Sequence, residues 1–139
     1  MRAELSLFVL ATENRERILN SISRTLKIPP ETMERIKIQH LTGHFGYPIE
    51  FLKLKLNEKE TERLINLIFD ELPDQDKKRL FLNIDDFVDD KGNLYLRLNK
   101  QKICIGQIHL SDQDPVRIVV KGGKKKIREL IREGGYELL

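Results

Sequence analysis

The stretch Ile49-Glu50-Phe51-Leu52-Lys53-Leu54-Lys55-Leu56-Asn57-Glu58-Lys59-Glu60 changes its periodicity at one residue. Up to Leu56 the chain alternates, with Leu52, Leu54 and Leu56 on one side and Phe51, Lys53 and Lys55 on the other, which is the period of a strand with one buried face. From Asn57 onward the period is helical. Asn57 is a good N-cap, and Glu58, Glu60 and Glu62 lie near the positive end of the helix dipole. Leu64, Leu67, Ile68 and Leu72 form the apolar stripe, and Pro73 closes the helix. A half-buried strand that runs directly into an amphipathic helix predicts a sheet with helices on its apolar face.

Working outward, the segment Thr42-Gly43-His44-Phe45-Gly46-Tyr47-Pro48 reads as a sharp turn. Before it, Met33 to Leu41 sets Ile36, Ile38 and His40 against Arg35, Lys37 and Gln39, so the two strands predict a long hairpin. Ala3 to Ala11 is a largely buried strand, after which Thr12 is expected to cap a helix from Glu13 to about Leu26, stopped by Pro29-Pro30. Beyond Pro73, Asp74 to Leu82 fits a short helix, and Asp90-Lys91-Gly92-Asn93 is a turn. Strands are then expected at Leu94 to Leu98, around Ile103, Ile105 and Ile108, and at Pro115 to Lys121. Gly122-Gly123 breaks the last of these, and Lys124 to Arg132 forms a helix carrying Ile127, Leu130 and Ile131, ended by Gly134-Gly135. The predicted order is β α β β α (α) β β β α: one α+β domain over residues 1–139, an antiparallel or mixed sheet with helices packed on one face.

Composition agrees with a single core. The 139 residues are 40% hydrophobic and 34% charged, with 8 Gly and 5 Pro, which excludes collagen-like, low-complexity and disulfide-scaffold classes. Cys104 is the sole cysteine and stands between Ile103 and Ile105, where a buried thiol in a reducing, cytoplasmic setting is the simplest expectation. Leu5 to Ala11 reads as a strand entering a helix, not a secretory signal, and no run approaches the roughly 18 apolar residues of a membrane span.

Charge is segregated along the chain. The net charge is +3, yet between Arg97 and Arg132 ten bases stand against three acids, and between Asp70 and Asp90 eight acids stand against three bases. Lys124, Lys125, Arg128 and Arg132 fall within about 100° of one another around a helix that advances roughly 100° per residue. Lys121-Gly122-Gly123-Lys124 places backbone amides ahead of that basic helix, whose N-terminus favours an anion such as a phosphate. Tyr95 and Arg97 share one strand face and Lys100 and Lys102 follow, a mixture suited to base stacking and phosphate contact. The same residues also fit a solvated helix face and a covered sheet edge.

Catalytic constellations are sparse. The chain lacks the Gly-Lys-Ser/Thr ending of a Walker loop and a Gly-x-Ser-x-Gly elbow, so neither nucleotide hydrolysis nor a serine nucleophile is expected, and no cofactor is implied. His40 and His44 flank a turn instead of riding one helix, which disfavours zinc. Asp85, Asp86, Asp89 and Asp90 miss the calcium-loop spacing, since Phe87 falls at the first ligand position. They leave open a metal-dependent nuclease, and the acidic segment also leaves open a protein-interaction subunit.

Four segments carry a likeness to a known family: the opening strand into Ala11-Thr12-Glu13, the turn Gly43-His44-Phe45-Gly46-Tyr47-Pro48-Ile49, the run Asn93 to Gln101, and Asp114 to Lys121. Over residues 3 to 121 the chain resembles the archaeal family of predicted exosome-subunit RNA-binding proteins. The resemblance implies a compact α+β domain similar to the ribosomal protein that holds the small RNA of the large subunit. It also implies a non-catalytic accessory role in RNA processing or degradation, with RNA, the exosome or other RNA-processing subunits as partners, and no membrane. Combined with the charge pattern, it makes Arg97, Lys100, Lys102, Lys121, Lys124, Lys125, Arg128 and Arg132 the expected RNA-contacting residues.

Overall fold

The computed structural model describes residues 1–135. Strand β1 (Arg2–Leu10) leads into α1 (Arg15–Thr25) and α2 (Pro30–Met33), followed by the hairpin strands β2 (Lys37–Thr42) and β3 (Pro48–Leu56). Three helices come next: α3 (Glu58–Glu71), α4 (Asp74–Leu82) and α5 (Ile84–Phe87). Strand β4 (Leu94–Asn99), α6 (Lys100–Cys104), β5 (Pro115–Lys121) and α7 (Gly123–Glu133) complete the described chain. The strands form one five-stranded sheet in the order β2-β3-β1-β5-β4. Every pairing in it is antiparallel.

The core lies on one side of that sheet. Leu5 and Leu7 of β1, Leu52 and Leu54 of β3, Ile118 and Val120 of β5, and Leu96 and Leu98 of β4 are all at most 1% exposed. Ile22 of α1, Ile65 and Ile68 of α3, and Ile127 of α7 meet them from the helical layer. Each such side chain contributes about 1.5–3 kcal/mol through removal from water, so the alternation of the strands is the main source of stability. Helix α3 starts where the periodicity changes, because the Asn57 side chain accepts from the Glu60 N–H while the Glu60 carboxylate accepts from the Asn57 N–H, a reciprocal capping box.

The α+β architecture is the one expected, with five strands among the described residues where the sequence predicts six. The segment following β4 is helical: the Asn99 side chain accepts from the Lys102 N–H and starts α6, Ile103 is buried, and Ile105 is 61% exposed next to Gly106 with φ +84°. A local cap thus outcompetes a weak apolar alternation. Only the single bridge Leu98–Leu110 remains of the expected pairing there. Asn14, not Thr12, caps α1 by accepting from the Arg17 N–H. Pro30 opens α2 instead of merely ending α1, as suits a proline in a first helical turn. Cys104, expected to be buried, is half-buried at the end of α6.

Gly123 fixes α7 against the sheet. A Cβ there would lie 2.8 Å from Val120 Cβ and 2.9 Å from Leu94 Cβ, so the helix approaches β4 and β5 more closely than any other residue permits. Gly123→Ala should cost roughly 1–2 kcal/mol net, overpacking partly offset by the reduced freedom of the unfolded chain. An unchanged urea midpoint would contradict this close approach.

Candidate nucleic-acid interface

Strand β5 passes through Lys121 into Gly122, whose φ of +74° belongs to the left-handed region, and α7 begins at once. With Ile127, Leu130 and Ile131 buried, the opposite side of α7 meets solvent. Lys124, Lys125, Arg128 and Arg132 line a cleft of about 440 Å³ together with Lys91 and Gly92 from the turn before β4, and Glu129 is the one acid in that lining. Five cations in one concave wall make a region of positive potential that attracts a polyanion. Lys126 turns away toward Glu62 at 3.8 Å.

Two of the amides expected to cradle an anion are already bonded. The Gly122 N–H donates to Asn93 Oδ1 at 3.2 Å, and the Lys124 N–H donates to the Gly92 carbonyl at 3.1 Å. These glycines serve the turn and the helix–sheet approach, and the cationic side chains are what the cleft offers an anion.

The remaining sequence-predicted cations are divided. Lys121 is exposed at the end of β5, and Lys102 is exposed on α6, which packs on α1 and β4. Arg97 is exposed on β4 beside Asp112 at 3.9 Å, a carboxylate it shares with Arg79 at 3.2 Å. Tyr95, on the same strand face, is 40% exposed, with its hydroxyl donating to Asp89 at 2.8 Å.

Lys100 must be removed from the expected contact set. It is 1% exposed, and its ammonium donates to the Phe8 carbonyl at 2.9 Å, to Glu13 Oε1 at 2.8 Å and to Asp114 Oδ2 at 2.6 Å. A buried ammonium with its partners in place is tolerated because its hydrogen bonds replace water, and it has none left for a phosphate. It ties the β1–α1 junction to α6 and to the start of β5. Burial alone would raise the Glu13 pKa, but the bonds from Lys100, the Leu10 N–H and Gln101 outweigh it and hold the carboxyl below its ordinary value.

One carboxylate of the acidic segment is committed to the local backbone. Asp89 Oδ1 accepts from the N–H groups of Lys91 and Asn93, and Oδ2 from the Asn93 amide and the Tyr95 hydroxyl. The Asn93 backbone bond and the Tyr95 hydroxyl lead in lowering its pKa from 3.8 to about 2. Asp89 therefore organises the turn ahead of β4. Among the described residues no group of three or more His, Cys, Asp or Glu side chains is placed to hold a metal ion. His40 lies 3.5 Å from Glu50, already bonded by Arg15, while His44 packs edge-on to Phe45.

Reading by local charge density missed cations spread thinly through the first half of the chain. Arg2, Lys37, Lys53 and Lys55 are separated by long intervals in sequence, yet the register sets all four on the sheet face opposite the core. The alternation of Lys53 and Lys55 with buried leucines was the available signal.

A helix-backed antiparallel sheet with cations gathered at α7 and across its open face defines a small α+β domain suited to a polyanionic partner. Residues 2–122 match a family model described as RNA binding, and the chain belongs to that family. An RNA-binding protein of Pyrococcus abyssi is 26% identical over 131 residues, covering 90% of this chain and 84% of that protein. An uncharacterized protein of Methanocaldococcus jannaschii is 27% identical, covering 92% and 93% respectively. Among solved structures, a DUF54 protein of Archaeoglobus fulgidus is 27% identical with a TM-score of 0.73, covering 95% of this chain and 96% of that one. A DUF54 protein of Sulfolobus solfataricus shares the fold at a TM-score of 0.74 and 23% identity, covering 96% and 99%.

Two variants test the structural assignments. Lys100→Met should lower stability by at most about 3 kcal/mol, the low end for removing one partner of a buried pair because Asp114 is 44% exposed and screened by water. RNA affinity of the folded fraction should be unchanged, and a loss there would return Lys100 to the contact set. For Asp89, the lowered native pKa means that its stabilisation is complete above the unfolded value near 3.8 and fades as pH falls toward 2. Asp89→Asn should therefore flatten the stability-against-pH curve between those limits, and superimposable curves would refute the role given to this carboxylate.

Proposed function

We propose that the protein is a non-catalytic RNA-binding accessory factor of RNA processing or degradation, working in the cytoplasm with the exosome or a related RNA-processing complex. Membership of the RNA-binding family over residues 2–122 and the name of the Pyrococcus abyssi relative support the RNA ligand. The single observation that carries the reading is the cationic wall of Lys91, Lys124, Lys125, Arg128 and Arg132 around one cleft with a lone acid. Such a wall neutralises phosphates without reading bases. The accessory role and the exosome partner rest on the resemblance carried by the opening strand into Ala11-Thr12-Glu13, the turn Gly43 to Ile49, the run Asn93 to Gln101, and Asp114 to Lys121. The nuclease alternative is weakened at one of its four carboxylates, because Asp89 is committed to the turn ahead of β4. Among the described residues no helix is long and apolar enough to cross a membrane.

Engagement of about four phosphates predicts a log–log salt slope of roughly −3 for single-stranded RNA. Lys124→Glu, Lys125→Glu and Arg128→Glu together should weaken binding about a hundredfold at roughly 0.1 M salt and lower the slope by about 0.7 per cation. The melting temperature should barely move, and RNA incubated with magnesium should be recovered intact. A slope near zero, or cleaved RNA, would overturn the proposal.

A further inference from the structure

The sheet register produces an arrangement that folding does not need. Lys37 pairs with Lys53, Lys53 with Ser6, Ser6 with Arg117, and Arg117 with Arg97, so one residue from each of the five strands forms a transverse row on the face opposite the core. Neighbouring strands stand about 4.8 Å apart, which sets four cations within roughly 19 Å. Like charges directly opposite one another destabilise a sheet, and this face holds three such pairs: Lys37 with Lys53, Arg97 with Arg117, and Arg2 with Lys121. Compensation is partial. Lys53 lies 3.5 Å from Glu4 and Arg97 3.9 Å from Asp112, whereas among the described residues neither Lys37 nor Arg117 has a carboxylate within 4.0 Å. Glu4 is the one acid that the strands place on this face. The small Ser6 side chain, 9% exposed, floors the row between Lys53 and Arg117.

Aromatic rings flank the cations. Phe51 pairs with Phe8 one step along the strands, their centroids 5.0 Å apart at 42°, with Lys53 Nζ 5.7 Å from the Phe51 centroid and Gln39 next in line. On the other side of the row stands Tyr95, held by Asp89. A strand advances about 6.6 Å per two residues, so rings and cations lie close enough for one nucleotide to stack its base on an aromatic while its phosphate meets the row. Bases locked in a duplex cannot reach such rings.

We propose that the open face of the sheet is a platform for single-stranded RNA, laid across the strands with phosphates on Lys37, Lys53, Arg117 and Arg97 and bases on Phe51, Phe8 and Tyr95. This rests on the RNA-binding reading above and deepens it by naming the strandedness of the ligand. Excess positive charge favours RNA over a protein occupant. Every residue of the platform lies within the segment matched by the RNA-binding family model, which ends before α7. Few groups on the face can read a base edge, so binding there tolerates sequence.

Fluorescence anisotropy with a labelled unstructured ten-nucleotide RNA and with a blunt duplex of equal length tests the platform. Phe51→Leu, which keeps apolar bulk but removes the ring, should weaken single-strand binding roughly five- to tenfold with no change in salt slope or duplex affinity. Lys37→Glu with Arg117→Glu should weaken single-strand binding and lower the slope by about 1.4, and these side chains are exposed, so the pair decides the matter if Phe51→Leu fails to fold. Wild-type preference for duplex, or sheet variants that bind like wild type while the α7 reversal still weakens binding, would overturn the platform and leave the RNA-binding function standing. Failure of the wild type to bind either RNA would overturn both.

Discussion

Burying Ala3, Leu5, Leu7 and Val9 of the central strand against the helices commits Arg2, Glu4, Ser6 and Phe8 to the opposite face. Because a slip of one residue would exchange the two faces, the apolar set locks the register of β1 against β3 and β5, and through them that of the whole sheet. The location of the cations follows from this lock. Lys53 and Arg117, 64 positions apart in sequence, share a row because each stands opposite Ser6. Hydrophobic burial supplies the energy, and the charged face is its geometric consequence.

Burial decides what a lysine does in this fold. Lys100 and Lys102 are two residues apart, yet one is closed beneath Glu13 and Asp114 while the other stands in solvent on the same short helix. The buried ammonium serves the join between β1, α6 and β5, whereas Lys125 and Arg128 of α7 and Lys37 and Arg117 of the open sheet face stand exposed to solvent. The two basic surfaces also differ in character. The α7 wall is cationic with no aromatic in its lining, which suits phosphates of any RNA. The sheet face interleaves rings with cations, which suits unpaired bases.

Much of this architecture is legible in the sequence, because its signals are local. The alternation of Leu52, Leu54 and Leu56 and the capping box beginning at Asn57 lie within a few residues of one another, and the structure realises both. The missing sixth strand shows the limit of the same logic: Ile103, Ile105 and Ile108 alternate too weakly to resist the cap that Asn99 provides. Lys100 was misplaced because its carboxylates come from positions 13 and 114, and no local pattern announces a contact 87 residues away. The open-face cations escaped notice for a related reason. Their concentration exists only after the strands are set side by side, whereas the cluster at α7 is dense along the chain itself.

The central claim, that cations brought together by sheet register and by α7 form the RNA-contacting surface, is tested most directly by amide NMR of the labelled protein titrated with unstructured RNA. The account predicts shifts concentrated on all five strands, β1 included through Ser6 and Phe8, and along the exposed side of α7, with α4 and α5 left unchanged. Perturbations confined to residues 74–90, or none at saturating RNA, would contradict it.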